Sequence, residues 1–415
     1  NLTTGGVMRG YGIPQVDFAM ECMMDDLALQ LSIDPIDFRL KNCMQPGYED
    51  PHTHIKYRGN GLEQCIAIGR EKIGWDEKRK SYANQTGRVR RGVGVAIFNY
   101  KTGVYPISLE TASCRMILNQ DGSMQIQLGA TEIGQGADTV FTQMTAEITG
   151  ITEDRIHIIS TQDTDVTPFD TGAYASRQSY VTGKAVKKTG LLFKDKILTF
   201  AREIREIGDA PLEIVENRIL NADGTELMTL EELGMEAMYS LSCSQHITAE
   251  TTSHCTDNSF ATGATFVEVE VDIPLGKVKV LNIINIHDSG TLLNPKLAIS
   301  QVHGGMSMGL GYVLGEELLF DAKGKPLNDN LLDYKLPTAL DTPELQTDFV
   351  EQYDESGPFG NKALGEPPTI SQAPAIRNAV LHATGVAFDS LPLNPEKLVL
   401  TFLEKGLIKG GDTHV

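Results

Sequence analysis

A single carboxylate near the carboxyl-terminal end of the chain has the surroundings of a reactive group. Glu366 lies in the run Gly-Glu-Pro-Pro, residues 365–368. Glycine permits positive φ and close backbone approach, and proline fixes φ and suits the first turn of a helix. Apolar residues at helical spacing follow, from Ile376 to Ala383. The pattern predicts that Glu366 lies at a rigid strand-to-helix corner facing a cleft. The alternative is an ordinary helix start, where the helix dipole favours a carboxylate.

Four glycine-rich segments could hold a cofactor. Each combines glycines with hydroxyl or amide side chains, and such loops can surround the oxygens of an anion, notably where a helix begins. A glutamine such as Gln135 offers both a donor and an acceptor to the edge of a polar ring. None of the four has the spacing of a P-loop or a dinucleotide fingerprint. Each alone is a weak indication, because glycine-rich turns are common. The segments are residues 9–15, 129–136, 171–183 and 288–305.

Helices and hairpins in mixed order must position these segments. Alternating apolar residues predict two hairpins, one turning at Asp121-Gly122 and one at Leu275-Gly276. Strand pairs and helices without strict alternation predict an α+β fold of mixed sheets and helices. The polar stretch at residues 81–88 is expected to separate two lobes. Apolar periodicity predicts helices over residues 17–31, 35–42, 62–74, 137–149, 183–205 and 229–239, and after Pro368.

Composition restricts the classes of partner. The 415 residues are 41% hydrophobic and 22% charged, which is typical of a chain with two or three cores. A net charge of −19 argues against nucleic acid and anionic membrane surfaces, since both attract basic faces. No apolar stretch predicts a membrane span. The chain begins at Asn1 without methionine or a signal peptide. We therefore expect an upstream part that is missing, processed away or supplied as another polypeptide.

The six cysteines and nine histidines form no ligand pattern for a metal. The absence of C-x-x-C pairs argues against a zinc site or an iron–sulfur cluster on this chain. It favours buried free thiols in a reducing compartment. His52 and His54 could pair on one side of a strand, although a loop is the favoured interpretation. A transition metal is thus expected to arrive inside a cofactor.

Taken in order, these motifs resemble the molybdenum-cofactor subunit of the xanthine dehydrogenase and aldehyde oxidase family. Residues 9–15 are similar to the family's Arg-Gly-aromatic-Gly-x-Pro-Gln segment, and residues 134–136 to its Gly-Gln-Gly pterin contact. Gln301 matches the glutamine of a Gly-Gln-Val segment, although Ser300 replaces the glycine. Residues 365–368 match the motif of the catalytic glutamate. The resemblance covers the whole chain, but only the C-terminal part of the family's molybdenum-binding region.

The resemblance implies a role for each matching residue. Glu366 would be the catalytic base. Arg9 and Tyr11 would shape the substrate side, where Tyr11 replaces the usual phenylalanine and leaves the substrate open. Phe98 would be a second aromatic of the substrate pocket, or equally a core residue at the end of a strand. The residues implied to bind the cofactor are Gly134, Gln135, Gly136, Ala175, Ser176, Ser179 and Gln301.

The implied reaction is hydroxylation of an electron-poor carbon in a purine or similar N-heterocycle, with water as the oxygen source. Pro-Gln at residues 14–15 and Pro-Pro after Glu366 favour the xanthine dehydrogenase branch. A nicotinate- or aldehyde-oxidising member of the family is an alternative. A non-catalytic assembly subunit is another, which intact Glu366 and Gln135 disfavour.

The implied cofactor is molybdopterin, as the cytosine dinucleotide, with molybdenum held by the pterin and by no protein side chain directly. Two-iron two-sulfur clusters and FAD are expected on partner subunits, in the cytoplasm. A further partner is the N-terminal molybdenum-lobe polypeptide or a missing segment. Residues 1–85 would then be the C-terminal part of the first cofactor-binding lobe, and residues 86–415 the second lobe.

Overall fold

The computed structural model describes residues 5–52, 54–59 and 61–408. Helices and strands follow one another in mixed order along these residues, and the strands form three β-sheets. The α+β prediction is confirmed. The helices are α1 (Ile13–Leu31), α2 (Pro35–Asn42), α3 (Leu62–Ile73), α4 (Trp75–Ser81), α5 (Ala137–Thr149), α6 (Gly183–Arg205), α7 (Leu230–Tyr239), α8 (Pro295–Leu314), α9 (Gln372–Thr384) and α10 (Pro395–Glu404).

The strands fall into three sheets, whose orders are β1-β9-β10-β11, β4-β3-β2-β8 and β5-β6-β7. Both predicted hairpins are confirmed, as β2–β3 and β9–β10. The strands are β1 (Val89–Lys101), β2 (Thr111–Leu118), β3 (Met124–Leu128), β4 (Ile156–Ile159), β5 (Leu212–Val215), β6 (Arg218–Asn221), β7 (Glu226–Thr229), β8 (Thr248–His254), β9 (Phe260–Asp272), β10 (Lys277–Asp288) and β11 (Leu345–Phe349).

The described residues divide into two compact units. The first contains the residues up to Tyr100, then Phe260–Gln352, then those from Leu364 onward. The second contains Lys101–Ser259 and Tyr353–Ala363. Residues 81–88 therefore lie inside the first unit. The boundary between residues 85 and 86 concerns cofactor-binding lobes rather than compact units, and it stays a prediction.

In the first unit, a four-stranded sheet is packed by helices that leave little room for side chains. One hydrophobic cluster joins β9 and β10 to α8 and α9, and another joins the sheet to α2 and α3. Gly92 and Gly94 of β1 make the contact with α9 possible. A Cβ on either would lie 2.1–2.2 Å from a carbonyl oxygen of α9, so only glycine fits there. The backbone of β1 therefore packs directly against that of α9.

In the second unit, α5 and α6 pack against the sheet that contains β2 and β3. β3 pairs with β4 in parallel, from Met124 opposite Ile156 to Gln127 opposite Ile159. A π turn at Gln178–Thr182 leads directly into α6. The helix predicted over residues 183–205 is confirmed, as are those over 137–149 and 229–239.

Side-chain caps explain where several helices begin. Asp34 accepts hydrogen bonds from the amides of Ile36 and Asp37 at the start of α2. Thr229 and Glu232 form a reciprocal capping box at α7. Asn294 and Asn394 cap α8 and α10, each followed by proline at the first helical position. Among the helices of the described residues, none combines the length and the apolarity that crossing a membrane requires.

Candidate functional site

Glu366 lies at the start of a tight turn in the first unit, and the predicted strand-to-helix corner is wrong. In the described residues no helix or strand lies between Phe349 and Pro367. Pro367–Thr369 form a 3-10 turn, in which the Thr369 amide donates to the Glu366 carbonyl at 3.1 Å. The α-helix begins only at Gln372. Because proline has no N–H and disfavours the α conformation in the residue before it, two consecutive prolines give a short turn rather than a full helical start.

The turn rests against α8 through a glycine contact. A Cβ on Gly305 would lie 2.4 Å from Cβ of Pro368, and one on Gly309 would lie 2.7 Å from Cβ of Gln372. No side chain fits at either distance, so the helix backbone itself supports the segment that carries Glu366. The neighbouring Gly304 has ordinary space, since its Cβ would lie 3.6 Å from Nη1 of Arg9.

Arg9 joins the amino-terminal loop to this turn. Its Nε donates to the Gly365 carbonyl at 2.5 Å. Its Nη2 donates to the backbone oxygen of Gln301 at 3.0 Å and to the side-chain oxygen of Gln301 at 3.2 Å. The structure therefore brings together three residues that the sequence singled out, Arg9, Gln301 and Glu366, although they are far apart along the chain.

Burial and the neighbouring groups have opposite effects on the pKa of Glu366. Burial raises the pKa of Glu366 above its usual value, while a hydrogen bond from the Gly10 amide and the charge of Arg9 lower it, and burial dominates. Burial likewise lowers the pKa of Arg9 to about 10, against the influence of Glu366. A carboxylate with a raised pKa is a stronger base than an exposed glutamate, which is what proton abstraction requires.

Tyr11 lies in an unusual stretch of backbone between Gly10 and Gly12. The φ angles of these three residues are 97°, 50° and 88°, all left-handed. Such a conformation costs a non-glycine residue about 1–3 kcal/mol and is concentrated at functional sites. The Tyr11 side chain is 73% exposed. Its assignment to the substrate side stays a prediction.

Phe98 packs as a core residue at the end of β1. It is 2% exposed, its ring centroid lies 5.0 Å from that of His287, and a Cβ on Gly263 would touch the ring at 2.5 Å. This packing agrees with the core alternative weighed for it, and its role toward a substrate stays a prediction. Burial lowers the pKa of His287 to about 3, so this imidazole is neutral at physiological pH.

The second unit holds two of the four glycine-rich segments, residues 129–136 and 171–183, while the other two lie in the first unit. The turn at residues 134–136 is occupied from within. Glu132 accepts hydrogen bonds from the amides of Gly134 at 2.7 Å, Gly136 at 3.2 Å and Asp138 at 3.1 Å. Burial raises the pKa of this carboxylate, but the amide hydrogen bonds outweigh burial and the net pKa is lowered. The helix start after this loop is thus filled by the chain's own carboxylate, and the contact of the loop with a cofactor stays a prediction.

Gln135 braces the same loop. Its side-chain oxygen accepts from the Ile133 amide at 2.7 Å, and Nε2 donates to the Thr131 carbonyl and to Oε1 of Gln178, both at 2.8 Å. Gln178 is 8% exposed, and its Nε2 has no hydrogen-bond partner in the described structure. Sequence reasoning missed Gln178. Its position two residues beyond Ser176, inside the third glycine-rich segment, was the available signal.

A fully buried arginine shapes the loop that contains Ala175 and Ser176. Arg177 donates through Nε to Glu110 at 2.6 Å and through Nη1 to Asp170 at 2.5 Å, and all three side chains are at most 1% exposed. Ala175 and Ser176 take left-handed φ angles of 48° and 51°. Ser179 lies in the adjoining π turn. Sequence reasoning missed this ion cluster, because Glu110 is far from the loop in sequence.

Metal-ligating side chains do not converge in the described residues. No group of three or more His, Cys, Asp or Glu residues there has the arrangement of an ion site. None of the six cysteines, which all lie in the described part of the chain, forms a disulfide; four of them are buried, as predicted, and Cys43 and Cys243 are half-buried. His54 lies outside any helix or strand and His52 in a turn, as the loop interpretation expected, while Thr53 between them lies outside the described residues.

Comparison with known families identifies two matches along the chain. The family description "molybdopterin cofactor-binding domain" matches residues 68–343. A second description of the same name matches residues 1–43. The first match alone covers more than half of the chain.

Two known relatives and one solved structure are similar to this chain over nearly all of its length. The chain is 48% identical over 411 residues to the putative xanthine dehydrogenase molybdenum-binding subunit XdhA of Escherichia coli K12, a match that covers 98% of this chain and 55% of the relative. It is 31% identical to the probable hypoxanthine oxidase XdhD of the same organism, covering 98% and 43%. The solved structure of carbon monoxide dehydrogenase from Oligotropha carboxidovorans superimposes with a TM-score of 0.88 at 25% identity, covering 98% and 53%. The chain thus spans about half the length of these relatives.

Proposed function

We propose that this chain supplies the base and part of the cofactor surface of a molybdenum hydroxylase. The chain belongs to the family of molybdopterin cofactor-binding domains, of the kind found in xanthine dehydrogenase-type molybdenum-binding subunits. The substrate is a purine or similar N-heterocycle, hydroxylated at an electron-poor carbon with oxygen from water. The names of the relatives, a xanthine dehydrogenase subunit and a hypoxanthine oxidase, support a purine.

The residues of the second unit fit a pterin cofactor. A Cβ on Gly134 or Gly172 would meet nothing within 4 Å, so the side of each loop on which that Cβ would lie is open to a ligand, although the Gly134 amide already donates to Glu132. The buried Nε2 of Gln178 is a donor without a protein partner, and such donors are normally satisfied. Gly134, Gln135 and Gly136 would offer the loop backbone, while Ala175, Ser176 and Ser179 would line the site. When bound, the cofactor supplies the redox-active metal that accepts electrons from the substrate.

The partial burial of Glu366, which raises the pKa of its carboxyl, is the observation that carries the proposal. A base for this reaction must be ionised before turnover and yet basic enough to take a proton, which requires partial burial. The Gly10 amide and Arg9 lower the pKa of the carboxyl, while burial raises it. Glu366 therefore accepts the proton at a carboxylate oxygen. Arg9 and Gln301 hold the adjoining backbone in place.

The complete enzyme requires more than this chain. We propose molybdopterin cytosine dinucleotide as the cofactor, with no side chain of the chain bound to the metal. Two-iron two-sulfur clusters and FAD would lie on partner subunits, and the N-terminal molybdenum lobe on a further polypeptide or segment. This division follows the family resemblance, with residues 1–85 in the first lobe and 86–415 in the second. The free cysteines favour the cytoplasm.

The direct test is Glu366→Gln in the natively assembled complex. We expect molybdenum to remain near one per chain while xanthine oxidation with an artificial electron acceptor falls by about 10²–10⁴-fold, the usual contribution of a general base. Glu344→Gln, at an exposed glutamate of the first unit, is the control and should leave the rate unchanged.

Three outcomes would count against the proposal. Full activity of Glu366→Gln would exclude this residue as the base. Turnover of aldehydes or nicotinate in preference to purines would move the protein to the alternative branch. A correctly matured complex without molybdenum would leave only a non-catalytic assembly role.

A further inference from the structure

The turn that carries Glu366 depends on hydrogen-bond donors from outside its own backbone. The two residues that follow this glutamate are prolines, which have no N–H group to donate. The first hydrogen bond of α9 runs from the Ala375 amide to the Ser371 carbonyl, at 3.2 Å. The carbonyls of Pro368 and Thr369 therefore precede the hydrogen bonds of that helix. Because both residues are buried, these carbonyls need donors from elsewhere.

Two side chains supply these donors. Gln372, at the start of α9, donates from Nε2 to the Pro368 carbonyl at 2.7 Å. Tyr312, near the end of α8, donates its hydroxyl to the Thr369 carbonyl at 2.6 Å. Burial raises the pKa of Tyr312, so the phenol keeps the proton that it donates at physiological pH. Of these two side chains, Tyr312 is the one that ties the turn to a helix other than α9.

Thr369 transmits this restraint to Glu366. The Thr369 amide donates to the Glu366 carbonyl at 3.1 Å, and the Thr369 hydroxyl donates to the same oxygen at 3.0 Å. Thr369 is fully buried, so solvent does not reach its carbonyl to replace a lost donor. The hydroxyl of Tyr312 is thus two hydrogen bonds away from the backbone of Glu366.

We propose that Tyr312 is a positioning residue for Glu366, and that through Thr369 it fixes the direction in which the carboxylate points. The inference rests on the proposed function, because positioning has a catalytic consequence only when Glu366 is the base. Without the hydroxyl of Tyr312, the turn can shift relative to α8. Such a shift moves the carboxylate away from the Gly10 amide and from the charge of Arg9, both of which lower its pKa.

The variant Tyr312→Phe removes the hydroxyl and keeps the ring. In the natively assembled complex we expect kcat for xanthine to fall by about 10–100-fold with KM and molybdenum content unchanged, because a small misplacement of a base weakens binding of the transition state alone. The acid limb of the profile of kcat/KM against pH should also move to higher pH. Tyr82→Phe is the matched control. The Tyr82 hydroxyl donates to Glu268 at 2.7 Å in the same unit, and its removal should change none of these measurements.

A double variant shows whether the effect passes through Glu366. Substitutions of residues that act as one unit are not additive. In a Glu366→Gln background, Tyr312→Phe should therefore lower the residual rate by less than about twofold. The same loss of kcat in both backgrounds overturns the proposal, as does an effect of the single variant confined to KM. Loss of molybdenum from the single variant also overturns it, because Tyr312 would then act in folding.

Hydrogen exchange measures the restraint on the turn without turnover. In the same complex the Thr369 amide, which bonds Glu366, should exchange at least about tenfold faster in Tyr312→Phe than in the wild type or in Tyr82→Phe. Unchanged exchange overturns the positioning.

The exchange result also keeps the two claims apart. Full activity of Glu366→Gln, together with faster exchange in Tyr312→Phe, refutes the proposed function alone. Lost activity of Glu366→Gln, together with unchanged exchange in Tyr312→Phe, refutes the positioning alone.

Discussion

Burial and the charge of Arg9 act in opposite directions on the carboxyl of Glu366, and the balance between them should set the acid limit of activity. Replacing Arg9 by Gln removes the positive charge that lowers the pKa of Glu366, so that pKa rises further. A base works only when deprotonated. We therefore expect the acid limb of the profile of kcat/KM against pH to move to higher pH in Arg9→Gln. Arg91 pairs with Glu270 on the surface, and we expect the control variant Arg91→Gln to leave the acid limb of the pH profile unchanged.

The same raised pKa has a consequence for stability. A carboxyl whose pKa is higher in the folded state stabilises the fold when protonated, and that stabilisation is lost as the pH rises through the folded pKa. Above the folded pKa the ionised Glu366 is therefore unfavourable for folding. We expect Glu366→Gln to raise the melting temperature at pH 8, with a gain that shrinks toward pH 4. An equal or lower melting temperature at pH 8 would show that the contact with Arg9 outweighs burial.

Glu132 gives the opposite sign. Its pKa is lowered by the loop amides, so its contribution to stability is present above the unfolded pKa of about 4.5 and is lost as the pH falls through the lower, folded value. Glu132→Gln should lower the melting temperature at pH 7, and the loss should shrink as the pH falls through the folded pKa of Glu132. Hydrogen exchange of the Gly134 and Gly136 amides should speed up as well. Glu147→Gln, at an exposed position of α5, the helix that follows this loop, should leave both measurements nearly unchanged.

Local sequence pattern reveals residues with distinctive neighbours, but not those defined by distant contacts. Arg9, Gln301 and Glu366 each lie in a recognisable motif, and the structure brings them together. The cluster of Glu110, Asp170 and Arg177 follows no local rule, since a buried ion pair depends on the three-dimensional approach of separate segments. The filling of the Gly134 turn by Glu132 could not be foreseen either, because glycine-rich loops before a helix accept external and internal anions alike.

At the scale of elements, the contact of α8 with the Pro367–Thr369 turn predicts a difference between two adjacent glycines. An alanine at position 305 would place its Cβ 2.4 Å from Pro368 and push the turn away, whereas one at 304 would make an ordinary contact at 3.6 Å. We expect Gly305→Ala to lower kcat by at least about tenfold, because small misplacements of a catalytic group are costly. Gly304→Ala should retain activity and gain up to about 1 kcal/mol of stability from helix propensity.

The result would be informative in either direction. Loss of molybdenum from Gly305→Ala would indicate a general folding defect. Retained molybdenum with wild-type kcat would mean that the turn adapts without moving Glu366.

Helices and hairpins followed from sequence wherever periodicity was long and undisturbed. The alternation on either side of Asp121-Gly122 and of Leu275-Gly276 fixed both hairpins. The strand expected before Glu366 is absent from the described structure, because glycine and proline there leave no alternating pattern to arbitrate between a strand and an irregular segment. Such segments take their shape from the elements they rest on, here α8.

At the scale of the whole molecule, each compact unit has, among its described residues, a fully buried arginine that pairs with two carboxylates, Arg39 in the first and Arg177 in the second. Removing the arginine leaves two buried charges without compensation, which costs about 3–5 kcal/mol. We expect Arg39→Met to speed hydrogen exchange chiefly in the first unit and Arg177→Met chiefly in the second. Arg115→Met, at an exposed pair with Glu250, should cost less than about 1 kcal/mol. Uniform acceleration across both units by either variant would show that they unfold as one.

The sequence indicated more than one core but not how the chain is shared between them. Composition and length suggested two or three cores. The first unit, however, is assembled from three separated stretches and the second from two. No local signal marks such interruptions. The return at Phe260 is made by β9, which pairs with β1, whereas the crossings at Tyr353 and Leu364 lie in a segment that has no helix or strand in the described structure.

The position of β1 beside β9 has a consequence for the order of events on the ribosome. The chain leaves the first unit after Tyr100 and returns to it at Phe260, and the sheet of that unit joins β1 to strands made only after this return. All strands of the second unit have by then been synthesised. We therefore expect residues 101–259 of the second unit to acquire structure first during translation. The earliest helices and β1 are expected to fold later, when the strands that complete their sheet have been synthesised.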